Sequence, residues 1–341
     1  MLYRRIIFFA ICICIGVQVN AQLKRFSFTQ PKMGSPFTIL LYAADSIEAA
    51  RHARDCFLLV DSFNLLYSDY IDSSELSLLT SAGASTAPIP VSPAMLDILW
   101  RSSIAYEQSG GAFDITVGPL VKLWRAARKA KQFPAADKIE AARRFVGFNN
   151  LVIDTARKTV LVKIPGMKLD LGGIAQGYIG QKVLDLLRSR QVEHALVNVS
   201  GDIITGDAPP GSAGWTIGVN VPGSTDELLS REILIQRKAV ITSGDAFQFL
   251  EHDGKRYSHI VDPRTGYGVT FQRNVTIIAE DGTTADWLAT ACSIIPLRKA
   301  KKLAKSFGAE LLITEMKKGK LVLHETKGFK QYWKPVTHST L

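Results

Sequence analysis

The chain has 341 residues, 47% of them hydrophobic and 21% charged, with no low-complexity tract, which excludes a disordered or fibrous protein and permits a large buried core. Its formal net charge of +10 suits an anionic partner such as a phosphate-bearing ligand, nucleic acid or anionic lipid. Basic residues are dispersed outside Arg298–Lys305 and Lys317–Lys320, which read as solvated faces, and with no nucleic-acid motif present a nucleic-acid partner is not expected.

Residues 1–21 carry the marks of a signal peptide. Arg4 and Arg5 form the positive end, Ile6–Val17 the apolar stretch, and Val19-Asn20-Ala21 the small-residue cleavage site. The apolar stretch is shorter than the ~20 residues a membrane span needs, so cleavage and export are expected rather than anchoring. Loss of Arg4 and Arg5 would take the net charge from +10 to +8, and cleavage would leave Cys56 and Cys292. Two cysteines in a large exported chain make no disulfide framework, and both fall in apolar helical patterns that predict buried thiols.

In the expected mature chain, residues 22–341, Phe26–Thr29 and Phe37–Tyr42 read as strands about a Met33–Pro36 turn. Asp45–Leu66 has the 3.6-residue period of an amphipathic helix. Asp72 and Glu75 have capping-box spacing for a short helix ending near Gly83. Ser92-Pro93 opens a helix that Gly110-Gly111 stops, and Gly118-Pro119 opens a basic helix running to Lys131. Ala135–Phe145 is again helical. Beyond it the texture turns β-branched, and Leu151–Asp154, Thr159–Ile164 and Lys168–Leu171 predict strands. A helix over Ile174–Arg190 follows, then strands at Ala195–Val199, Trp215–Val221, Glu232–Gln236 and Ala239–Thr242. Val275–Ala279 is a further strand, Thr284–Phe307 a helix, and Glu310–Thr314 with Leu321–His324 a closing hairpin. Helices early, strands late and few crossovers predict an α+β fold, with helices packed around a mixed, largely antiparallel sheet in a single large domain.

The most unusual local chemistry lies between Thr242 and Gly266. Asp253-Gly254 is a type I′ hairpin signal, joining strands at Phe247–His252 and Lys255–Val261. Alternation along the second strand gives Tyr257, His259 and Val261 a common face. Asp262-Pro263 opens a turn that Gly266 can end in a left-handed conformation. His259 is thereby held between two tight turns, as a reactive group or as an ordinary hairpin residue.

Four stretches could join it. Asp170-Leu-Gly-Gly-Ile-Ala-Gln-Gly-Tyr178 ends a strand in glycines at a helix start, where backbone can approach an anion closely. It matches no dinucleotide or Walker fingerprint and fits a plain strand-to-helix turn equally well. Asp286 and Thr290 stand four apart at a helix start, hard oxygens on one face that suit Mg²⁺ or Ca²⁺, or simple helix capping. Gly110–Asp114 offers backbone amides and one carboxylate, and Tyr70 a stacking surface for a flat ligand. G-x-S-x-G, H-E-x-x-H and CxxC are absent, and the six histidines do not cluster as zinc ligands would.

Taken in order, these stretches resemble the ApbE-type FAD:protein FMN transferases. The resemblance runs through Met33-Gly34, Ser68-x-Tyr70, Ser74-Glu75, Gly111–Asp114, Asp170–Tyr178, Val197–Asp202, Thr242–Asp245, His259–Gly266 and Ala285–Thr290. It implies an exported α+β enzyme, periplasmic or on the outer face of the inner membrane, that binds FAD with Mg²⁺. Its reaction would attach FMN to a Ser or Thr hydroxyl of an acceptor redox protein, itself exported or membrane-associated. By the same resemblance, Met33, Tyr70, Ala112, Phe113, Asp114, Asp170 and Gln176 would hold FAD. The Gly173 carbonyl, Asp286 and Thr290 would hold the metal, and His259 would stand at the reacting phosphate. The chain departs from the family pattern at Gln176, where Lys or Glu is frequent, at Gln181 in place of a common Asp, and at Ser200 in place of Gly. An FAD pyrophosphatase and a non-catalytic flavin-binding protein are the alternative readings of the same residues.

Overall fold

A computed structural model describes residues 22–81, 87–224, 227–244 and 248–335; the expected signal peptide lies outside them. Its centre is an eight-stranded sheet drawing strands from both ends of the described chain. In spatial order these are Lys24–Lys32, Ser35–Ala43, Ala195–Val199, Asp202–Thr205, Ala239–Ser243, Arg273–Ala279, Glu310–Lys317 and Lys320–Glu325. Every neighbouring pair is antiparallel. The fold is α+β, as the segregation of helical and strand patterns predicts.

Eight α-helices are found among the described residues. They are α1 (Ser46–Tyr67), α2 (Glu75–Ser81), α3 (Pro93–Ser109), α4 (Gly118–Ala130), α5 (Ala136–Arg143), α6 (Ala175–Ser189), α7 (Gly282–Ile294) and α8 (Leu297–Ser306). Local chemistry sets their ends. Asp45 caps α1 by accepting from the Ile47 and Glu48 amides, Ser92 caps α3 with Pro93 in its first turn, and Gly110 ends α3 at φ 63°. The main core packs α1, α3, α6 and α7 against one face of the sheet, and Cys56 and Cys292 are buried free thiols within it.

Three expectations need correction. Thr284–Phe307 is not one helix: Pro296 lacks an amide proton, so α7 ends at Ile294 and α8 restarts beyond it. Lys168–Leu171 makes only an isolated parallel bridge from Lys168 to Val117, not a strand. α2 is capped by Ser74, whose Oγ accepts from the Ser77 amide, and not through Asp72. Glu75 instead accepts from Ser92 N and Oγ, at 2.6 Å each, tying α2 to α3. One strand of the central sheet, Asp202–Thr205, carries no alternating pattern because all four residues are buried.

Candidate active site

A cleft of about 290 Å³ opens between α4, the start of α6, α7 and the hairpin that carries His259. Tyr70, Ala112, Phe113, Asp114, Asp170, Gly173, Gln176, His259, Asp286 and Thr290 all line it, so residues spread over 220 positions of sequence meet in one place. Met33 does not line it. It occupies the first hairpin turn at φ 52°, beside Gly34 at φ 75°, and packs on the main core.

One wall is acidic and rests on close backbone contact. α6 and α7 meet at Gly177 and Gly282, each so near the other's carbonyl that neither position has room for a Cβ. This approach lets the Gly177 amide donate to Asp286 Oδ2 at 2.8 Å. A Cβ on Gly173 would lie 2.8 Å from Thr290 Oγ1, and Ser243 Oγ is 3.5 Å from that hydroxyl. Asp202, at the start of its strand, is buried beside Asp286 and accepts from the Thr242 amide. Burial pushes both carboxyls up, and the Asp286 charge adds to the rise at Asp202. Two adjacent buried carboxyls are neutralised either by protons or by a bound cation. Among the described residues no cage of three or more His, Cys, Asp or Glu side chains exists, so a metal here would take further oxygens from a ligand. The donor set fits Mg²⁺ bound partly through a phosphate.

The opposite wall is basic. Asp253 at φ 48° and Gly254 at φ 70° form the expected hairpin turn, and Gly266 at φ 82° closes the second. His259 stands just past the strand Lys255–Ser258, where its Nδ1 lies 3.2 Å from the Gln248 carbonyl. A carbonyl only accepts, so Nδ1 carries the proton and Nε2 is the basic nitrogen. Burial, then the nearby Arg128 charge, lower the His259 pKa to about 4, with the Gln248 contact opposing. The imidazole is therefore neutral at physiological pH. α4 is fastened to this hairpin: Trp124 Nε1 donates to the Gly266 carbonyl at 2.8 Å and the indole stacks on Tyr257.

Between the walls, Asp114 Oδ1 accepts from Thr116 N at 2.8 Å and Oγ1 at 2.6 Å, yet burial raises its pKa. Asp170 accepts from the Gly172 amide and faces Arg125 at 3.7 Å; burial and then Asp69 raise its pKa. Tyr70 is 73% exposed with the Arg125 guanidinium 4.3 Å from its ring centroid, leaving the ring a broad open surface. Ser68 and Ser74 hold the Tyr70 loop: the Tyr70 amide donates to Ser68 Oγ, and Ser74 Oγ donates to the Ser68 carbonyl. Sequence reading gave no role to Asp202, Arg125 or Arg128. An aspartate opening a short strand with two isoleucines was one available signal, and the period of Val121, Arg125 and Arg128 along α4 was the other.

Fold and cleft together define an α+β protein whose ligand site joins a carboxylate wall to a basic one. A family model described as the ApbE family matches residues 33–313, and the chain belongs to that family. Among curated relatives, a FAD:protein FMN transferase of Klebsiella pneumoniae is 34% identical over 263 residues, 76% of this chain and 79% of its own length. One of Treponema pallidum is 31% identical over 317 residues, 87% of each. Of solved structures, the ApbE protein of Thermotoga maritima superposes with a TM-score of 0.82 at 29% identity, covering 92% of this chain and all of its own. The flavin transferase ApbE of Vibrio cholerae does so at 0.80 and 26%, covering 91% and 99%.

Proposed function

We propose that this protein transfers FMN from FAD to a serine or threonine hydroxyl of an acceptor protein and releases AMP. The observation that carries the reading is one cleft holding both a histidine with a free basic nitrogen and two adjacent buried carboxyls beside Thr290. The names of the relatives agree with it.

The flavin ring would rest on the open surface of Tyr70, with Ala112, Phe113, Asp114, Asp170 and Gln176 along the rest of the dinucleotide. Met33 stays outside this set. The Gly173 carbonyl, Asp286 and Thr290, joined by Asp202, would hold Mg²⁺, which supplies charge neutralisation on the pyrophosphate. His259 Nε2 would take the proton of the acceptor hydroxyl as its oxygen bonds to the FMN-side phosphorus. The anhydride P–O bond then breaks, AMP leaves with the electron pair, and the proton passes from His259 to solvent. The signal-peptide character of residues 1–21 supports action outside the cytoplasm, periplasmic or at the outer face of the inner membrane, on an exported or membrane-associated redox subunit.

The test is incubation of the protein from Gln22 onward with FAD, with and without Mg²⁺ and an acceptor domain. AMP together with covalent flavin on the acceptor is expected only when Mg²⁺ is present. AMP and free FMN without acceptor would make it an FAD pyrophosphatase, and FAD binding without any AMP would reduce it to a flavin-binding protein. His259→Ala is expected to abolish turnover and leave FAD bound.

A further inference from the structure

α4 turns Val117, Val121, Arg125 and Arg128 toward the cleft, while Leu120, Trp124 and Ala127 on its other face pack with Ile139, Leu250 and Val261. Its two arginines are in different states. Arg125 is engaged: Nη1 donates to Asp69 Oδ2 at 2.9 Å, Nη2 faces Asp170, and the plane covers Tyr70. Arg128 has no such partner. Its Nη1 is buried and makes no hydrogen bond among the described residues, and the charge beside it is the like charge of Arg125. Burial, then Arg125, lower its pKa.

A buried guanidinium nitrogen without an acceptor is costly, and packing alone gives no reason to keep it. What it lacks is an anion, and the fork of a guanidinium matches two oxygens of a phosphate. Arg128 and His259 line the same cleft, and the Arg128 charge reaches the imidazole, so an anion on the guanidinium would share that cleft with the basic nitrogen. Trp124, one turn earlier on α4, ties the helix to Gly266 in the turn that follows His259.

We propose that Arg128 holds the phosphoryl group on which His259 acts, its guanidinium taking nonbridging oxygens as charge accumulates there. The identity of that phosphoryl group rests on the FMN-transfer reading; the anion site itself does not. The guanidinium complements the carboxylate wall: Asp202 and Asp286 would hold a metal that supplies charge neutralisation, and Arg128 would supply the same on the basic wall.

Two measurements test it. Inorganic pyrophosphate is titrated into the wild-type protein and Arg128→Ala while the His259 imidazole is followed by NMR. The wild type should give a saturable shift, and the variant should bind at least about tenfold more weakly. Equal affinity overturns the proposal. In the FAD assay, Arg128→Ala should lower kcat by roughly 10² or more, with riboflavin, which carries no phosphate, bound within about twofold of wild type. Arg128→Lys should recover part of the loss. Unchanged kcat and KM in Arg128→Ala, or equal loss of riboflavin, overturns the assignment. Should Arg128→Ala not fold, Arg128→Gln keeps the aliphatic stem and serves both measurements. Pyrophosphate bound through Arg128 without AMP from FAD would support the anion site and sink the transfer reading alone.

Discussion

The two walls of the cleft are built by opposite means. The carboxylate wall depends on backbone against backbone: Gly177 meets Gly282, and Asp286 is set by an amide across the α6–α7 contact, with the Thr290 side chain packed on Gly173. The basic wall depends on side chains, an aromatic group of Trp124, Phe133, Tyr257 and Tyr267 binding α4 to the His259 hairpin. A backbone contact cannot relax through a rotamer, whereas an aromatic cluster can shift. The rigid wall suits a metal, whose ligand distances are narrow; the compliant wall suits a polyanion that must enter and leave.

That contrast predicts an unequal response to small substitutions. Gly177→Ala would drive a Cβ into the Gly282 carbonyl and to 2.7 Å from the Asp286 Cβ. α6 and α7 would have to part, drawing Asp286 off its amide. A loss of about 3 kcal/mol or more is expected, read by urea unfolding. Trp124→Phe keeps most of the ring but leaves the Gly266 carbonyl without its donor, and should cost about 1–2 kcal/mol. Looser placement of His259 should then appear as a several-fold fall in kcat with little change in KM. If the tryptophan variant is the less stable of the two, the contrast between rigid and compliant walls is wrong.

The same division governed what could be read from sequence. The basic wall is local, and its turns were legible because Asp253-Gly254 and Gly266 carry the residues that positive φ requires. His259 followed from them. The set of Gly173, Asp286 and Thr290 was expected together only by family resemblance, since nothing in their spacing says that α6 meets α7 at two glycines. Asp202 entered only as the end of the Val197–Asp202 stretch, because a lone aspartate in a buried strand has no periodicity that gives it a role. Arg128 is one of several basic residues on α4, and the cleft-facing period of the helix separates it from the solvated Lys129. Pro296 was legible and decisive, and the expected continuous helix passed over it. Met33 was carried by motif order alone, while its positive φ belongs to turn geometry.

The smallest expected effect is the sharpest test of how the basic wall is wired. Unfolded, His259 takes a proton near 6.5; in the native free protein it resists until about 4. Acidification from 6.5 toward 4 therefore favours the unfolded chain: the stability from a neutral His259 is present above 6.5 and lost as pH falls through that window. For catalysis the sign is the useful one. The base remains neutral down to mildly acidic pH, and the acid limb of kcat/KM that His259 sets in the free enzyme should lie near 4 rather than 6.5. Burial is the larger cause and Arg128 the second. Arg128→Gln should thus raise the midpoint, followed through the imidazole Cε1 proton by NMR, without carrying it back to 6.5, because burial persists. A midpoint unmoved by Arg128→Gln would mean that the cation and the base do not share a field. They would then lack the coupling needed to act on one phosphoryl group.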